Sequence, residues 1–108
     1  MHSSVRYRVQ VEVTFANDDL CQLDSDRSFR MGLSADVVRS YRKRMQQIRS
    51  AVDERDLRAL KSLHFEKLDG KRRGQYSMRL NDQFRLIFEL NGVGSEKQVL
   101  IVGVVDYH

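Results

Sequence analysis

The stretch "QYSMRLNDQFRLIFEL", residues 75–90, constrains the fold most, because apolar residues alternate on both sides of a turn and so fix how two strands pair. A two-residue loop at Asn81 and Asp82 pairs Leu80 with Gln83 and Arg79 with Phe84, which mixes apolar and basic side chains on one face. A three-residue loop, Asn81 to Gln83, pairs Leu80 with Phe84, Met78 with Leu86 and Tyr76 with Phe88, and sorts the pattern. The opposite face then carries Arg79 beside Arg85, Ser77 beside Ile87 and Gln75 beside Glu89. Two guanidinium groups directly across a ladder repel unless an anion or acid lies between them. Either an acid such as Glu89 or Asp106 neutralises the pair inside the fold, or a phosphate does. Arginine's two-point fit to phosphate oxygens favours the phosphate.

The rest of the chain supplies partners for this hairpin. Residues 5–15, "VRYRVQVEVTF", alternate as a half-buried strand does. Leu20, Cys21 and Leu23 fit one short helix. Ser34 reads as an N-cap with Asp36 in the first turn, opening a helix whose Val37, Val38, Tyr41, Met45, Ile48 and Val52 form one apolar stripe. Asp53 and Asp56 start a further short helix with Leu57, Leu60 and Leu63 inside. The period then returns to two: "HFEKL" as a short strand, "LDGKRRG" as a turn, the hairpin, and a last strand "QVLIVGVV". That strand is apolar at nearly every position, as a central strand covered on both faces would be. The expected fold is α+β, a single domain over residues 1–108. It has a small, mostly antiparallel sheet, built from the N-terminal strand and a C-terminal strand meander, with two or three helices on one face.

Composition narrows the function. The chain has 108 residues, 19 Lys and Arg against 15 Asp and Glu, and a net charge of +4, a balance that favours polyanions such as RNA, DNA or a ribosome surface. The cations cluster. Arg39, Arg42, Lys43, Arg44 and Arg49 lie on the long helix with almost no acids among them, and Lys71, Arg72 and Arg73 follow one another in a turn. Solvated helix backs often look like this, but cations without local partners point to RNA or ribosome contacts. One cysteine, no apolar h-region and no membrane-length apolar run lead us to expect a cytoplasmic protein. With three histidines and one cysteine, none at ligand spacing, no metal or cofactor is expected. No serine or cysteine nucleophile has recognisable partners, and "DGKRRG" lacks the features of a phosphate-binding loop.

"LHFEKLDGKRRGQYSMRLNDQFRLIFEL", followed at the end by "VVDYH", resembles the HigB branch of the RelE/ParE toxin superfamily, the toxin halves of bacterial type II toxin-antitoxin pairs. The resemblance implies a microbial RNase-like fold, a ribosome-dependent mRNA endonuclease that cuts in the A site without a metal, and a HigA-type helix-turn-helix antitoxin as partner. It also implies an acid/base set of Asp106, Tyr107 and His108 with a histidine on the second strand. In such relatives that histidine lies four residues before the turn glycine, and a lysine directly precedes the glycine. Here Asp69 precedes Gly70 and Glu66 holds the four-back position. His64 lies two residues earlier, and a two-residue offset keeps a strand's face, so His64 and Glu66 are both candidates. Lys67, of opposite parity, is a weak candidate for the missing cation.

Cutting RNA without a metal needs a base for the 2′-hydroxyl proton, cations for the phosphorane charge and an acid for the leaving 5′-oxygen. His108 suits the acid or base, since an imidazole titrates near about 6.5. Asp106 is expected to orient it or take the proton, Tyr107 to stack on a base, and Arg79 and Arg85 to stabilise the transition state. Two other functions fit a basic chain of this fold: a ParE-like gyrase-inhibiting toxin, and a non-catalytic RNA-binding module.

Overall fold

A computed structural model describes residues 12–51, 59, 64–91 and 98–106. Within them the chain runs β1 (Glu12–Phe15), α1 (Asp18–Ser25), α2 (Ala35–Ser50), β2 (Glu66–Lys67), a 3-10 turn (Gly70–Arg72), β3 (Gln75–Arg79), β4 (Phe84–Asn91) and β5 (Gln98–Asp106). The expected strand upstream of Glu12 and the expected helix over 53–63 lie outside the described residues.

Each helix starts where its sequence allows. Asn17 caps α1, its side-chain oxygen accepting from the Leu20 amide at 3.0 Å, and Asp18 and Asp19 place negative charge in the first turn. At α2 Ser34 occupies the cap position but makes no capping bond. Its hydroxyl donates to the Asp36 carboxylate instead. The stripe of Val37, Val38, Tyr41, Met45 and Ile48 is buried, and the Tyr41 hydroxyl donates to the Leu20 carbonyl at 2.8 Å, which ties α1 to α2.

The five strands form one sheet in the order β1-β5-β4-β3-β2, antiparallel throughout except that β1 runs parallel to β5. The sheet is therefore mixed. The hairpin has the three-residue loop: Met78 pairs with Leu86, Tyr76 with Phe88, and the Leu80 amide donates to the Phe84 carbonyl at 2.9 Å. Asn81 shapes that loop, its side-chain oxygen accepting from the Gln83 and Phe84 amides at 2.9 and 2.7 Å.

Among the described residues, α1 and α2 cover one face of the sheet. Leu20, Leu23, Val37, Tyr41, Met45 and Ile48 meet Met78, Leu80, Leu86, Phe88, Val99 and Ile101 in a single core. Strand β5 lies inside the sheet as expected, but Leu100 and Val102 to Val105 remain half-exposed, so it is less covered than its apolar sequence predicts. A bulge also interrupts it. Phe88 pairs with Ile101 and Ile87 with Gly103, which leaves Val102 as the extra residue and reverses the alternation beyond it.

Candidate active site

The second face of the sheet is built from one parity of the hairpin; it is buried at Ser77 and Ile87 and reaches solvent at Arg79 and Arg85. Arg79 pairs with Arg85 and Ser77 with Ile87, and β2 extends the face with Glu66 opposite Ser77. Lys67 pairs with Tyr76 and belongs to the other face. At the hairpin end His64, Arg79, Asn81, Asp82 and Arg85 surround a depression of about 260 Å³. The fold thus brings together His64, Arg79 and Arg85 of the expected residues, with Glu66 on the same face.

His64 arrives by a different route from the one its spacing predicts. Strand β2 holds only Glu66 and Lys67, and His64 precedes it with φ 47, a left-handed conformation outside any strand. Its carbonyl accepts from an Arg85 Nη2 hydrogen, while Arg85 Nε donates to the fully buried Ser77 hydroxyl at 2.9 Å. Arg79 forms an ion pair with Asp82, three residues on in the hairpin loop. Asp82 is a neutralising partner that a search for acids on neighbouring strands misses; its signal is the i,i+3 spacing across a turn. Glu89 does not take that part, since it accepts from Gln75 at 3.2 Å.

Asp106 requires a correction. It pairs with Phe84, whose side chain packs against the core, whereas Arg85 pairs with Val105. Ladder partners share a face, so Asp106 lies on the helix side and not on the side of Arg79 and Arg85. The Val102 bulge is the cause. There its carboxylate accepts from Gln83 Nε2 at 2.9 Å. Tyr107 and His108, the other two members of the expected set, lie outside the described residues.

The basic helix also differs from expectation, because three of its cations have partners. Arg42 donates to the carbonyls of Leu23, Asp26 and Phe29 at 3.1, 2.7 and 3.3 Å, and Arg44 Nε to the Arg79 carbonyl at 3.1 Å. Burial pulls the Arg44 guanidinium below its ordinary range. Arg49 pairs with Asp24 at 2.7 Å, and that bond raises its own. Arg39 and Lys43 are exposed, as are Lys71, Arg72 and Arg73, with Arg72 donating to Gln75 at 3.0 Å.

A mixed five-stranded sheet with helices packed on it is an α+β fold like that of the small YoeB/RelE toxins. Solved structures agree. A YoeB/ParE toxin from Agrobacterium tumefaciens superposes with a TM-score of 0.60 at 15% identity, covering 91% of this chain and 100% of that one. The YoeB-YefM complex from Staphylococcus aureus gives 0.56 at 19% identity, covering 92% and 98%. No curated protein matches the sequence. Residues 13–108 match the family described as RelE-like toxin of type II toxin-antitoxin system HigB, and the chain belongs to that family of HigB-like toxins.

Proposed function

We propose that this toxin is a ribosome-dependent mRNA endonuclease working in the A site by metal-independent acid/base chemistry, checked by a HigA-type helix-turn-helix antitoxin. The observation that carries the reading is the depression holding Arg79 and Arg85 side by side with His64, next to Glu66. Two guanidinium groups across one ladder pair suit the two equatorial oxygens of a phosphorane, where negative charge grows in the transition state. Glu66 or His64 takes the proton from the 2′-hydroxyl. The oxygen attacks the adjacent phosphorus, the bond to the 5′-oxygen breaks, and His108 supplies the proton that oxygen needs. The products are a 2′,3′-cyclic phosphate and a 5′-hydroxyl. Tyr107 stacks on a base, and Asp106 acts from the far face, holding Gln83 and with it the loop that carries Asp82.

The antitoxin is proposed from the family and from the YoeB-YefM complex among the similar structures. Lys43 and the run Lys71 to Arg73 supply exposed charge for the ribosome, as does Arg39. The cytoplasm is proposed as the place of action from the family; among the described residues no helix is long and apolar enough to cross a membrane. The test is to map 5′ ends of mRNA after induction of wild type, Arg85→Gln and His108→Ala. Cuts in phase with codons that vanish in both variants support the reading. Growth arrest by DNA damage, with mRNA intact, would instead place the chain with the gyrase inhibitors.

A further inference from the structure

A second cationic depression lies beside the first, and nothing in the proposed chemistry uses it. The loop between α1 and α2 is held by Arg42, whose three charge-assisted bonds to the carbonyls of Leu23, Asp26 and Phe29 fix its path. The loop then turns through Met31 at φ 51 and Gly32 at φ 71, closed by the Leu33 amide on the Arg30 carbonyl at 2.8 Å. A methionine is held at positive φ only where its surroundings over-determine it. This fixed loop presents Arg27 and Arg30, which with Arg39 and Arg42 of α2 surround a depression of about 260 Å³ lined by Ala35 and Val38.

Four guanidinium groups around one hollow repel unless an anion joins them. The acids at its margin are held by neutral donors, and of the four arginines Arg42 acts on Asp26, helping to lower its carboxyl after the bonds from Ser28 and Gln22. Asp26 accepts from the Ser28 amide and hydroxyl at 2.9 and 2.7 Å, and Asp36 accepts from Ser34 and Asn81. Among the described residues no ion pair or side-chain hydrogen bond engages Arg27, Arg30 or Arg39. The hollow is also placed to serve the active site. Ala35 lines it, and the next residue, Asp36, accepts at 3.4 Å from Asn81, which lines the depression of Arg79 and Arg85. The two are linked through the first turn of α2.

We propose that Arg27, Arg30 and Arg39 form a second phosphate site, which grips the backbone of the same RNA strand a few nucleotides from the bond to be cut. Arg42 positions the loop that builds it. The inference rests on reading the first depression as an RNA site. An acidic peptide fits less well, because peptide docking adds apolar anchor pockets and this hollow has only Ala35 and Val38.

The test uses the full chain and 2′-O-methyl oligouridylates, which cannot be cleaved, as a dinucleotide and as a hexanucleotide. Wild type is expected to bind the hexamer several-fold more tightly than the dimer. The double variant Arg30→Gln/Arg39→Gln, with Arg42 intact, should lose that gain, keep its dimer affinity, and show a salt slope lower by roughly 1.4, two phosphate contacts at 0.7 each. Hexamer affinity and salt slope equal to wild type would overturn the site, as would no oligonucleotide binding at all. So would a variant that loses only ribosome co-sedimentation or only antitoxin binding. Arg85→Gln separates the two readings: if mRNA cleavage survives it while the double variant still loses the hexamer gain, the active-site reading falls and the phosphate site stands.

Discussion

Arg79 and Arg85 face each other across a ladder, and the fold manages their repulsion by giving each a different anchor. Arg79 takes a carboxylate from its own turn, while Arg85 reaches a buried hydroxyl and a carbonyl. Arg85 is half-exposed, so Arg85→Gln should cost only about 1–2 kcal/mol of stability, the value of hydrogen bonds to a charged group in partial contact with water. Cleavage should fall by about 10²–10³-fold, as when one donor to a transition-state oxyanion is removed. Urea unfolding run beside cleavage checks it; a large stability loss with RNA affinity intact would make the pair structural. Asp36 offers a pH test. Hydrogen bonds from Ser34 and then Asn81 hold its carboxyl below its ordinary value of 3.8. A folded-state pKa below the unfolded one stabilises above the unfolded value, and the gain is lost as pH falls through the folded one. Asp36→Asn should therefore unfold more easily than wild type at pH 7, and the two should converge as the pH is lowered below 3.8.

α1, with eight residues, is shorter than the ~12–15 that a helix needs to persist alone, so it depends on α2. The Tyr41 hydroxyl on the Leu20 carbonyl is part of that hold, and burial pushes the phenol well above its ordinary pKa. Tyr41→Phe removes this bond, while the Leu20 carbonyl keeps its place in the helix ladder, and should cost about 0.5–1.5 kcal/mol, read as a lower melting temperature. The apolar stripe of α2 and the hairpin loop were legible because side-chain periodicity records which face is buried. Arg42's role was not, because its acceptors are backbone carbonyls, which every residue carries and no sequence displays. The bulge was hidden for a related reason: Val102 sits in a run of apolar residues where a one-residue slip changes no pattern. Its consequence is testable. Deleting Val102 keeps the pairs Leu86–Val104 and Phe84–Asp106 and should be tolerated, whereas deleting Val104 turns Val105 inward and Asp106 outward. Melting temperatures should rank the first deletion well above the second.

Among the described residues the helices close one face of the sheet, and the cations of the hairpin emerge at the turn end of the other, beyond the buried Ser77 and Ile87. Sequence reading found Arg79, Arg85 and His64, and missed Arg27 and Arg30, because a loop's residues are brought beside a helix by backbone turns that have no period. On the proposed function, arginines on two adjoining depressions in a chain of net charge +4 would make RNA binding largely a matter of counterion release. If five phosphate contacts are made, the slope for a single strand is roughly 3.5, and affinity should fall by about 10²-fold between 50 and 200 mM salt. The fold should be indifferent to the same change. Its ion pairs among the described residues, Arg49–Asp24 and Arg79–Asp82, are at least partly exposed, and such pairs contribute at most about 1 kcal/mol each. A melting temperature that holds steady while oligonucleotide affinity collapses would separate the two roles of charge in this molecule. A melting temperature that fell in step with affinity would instead mean that the arginines hold the fold together more than they hold RNA.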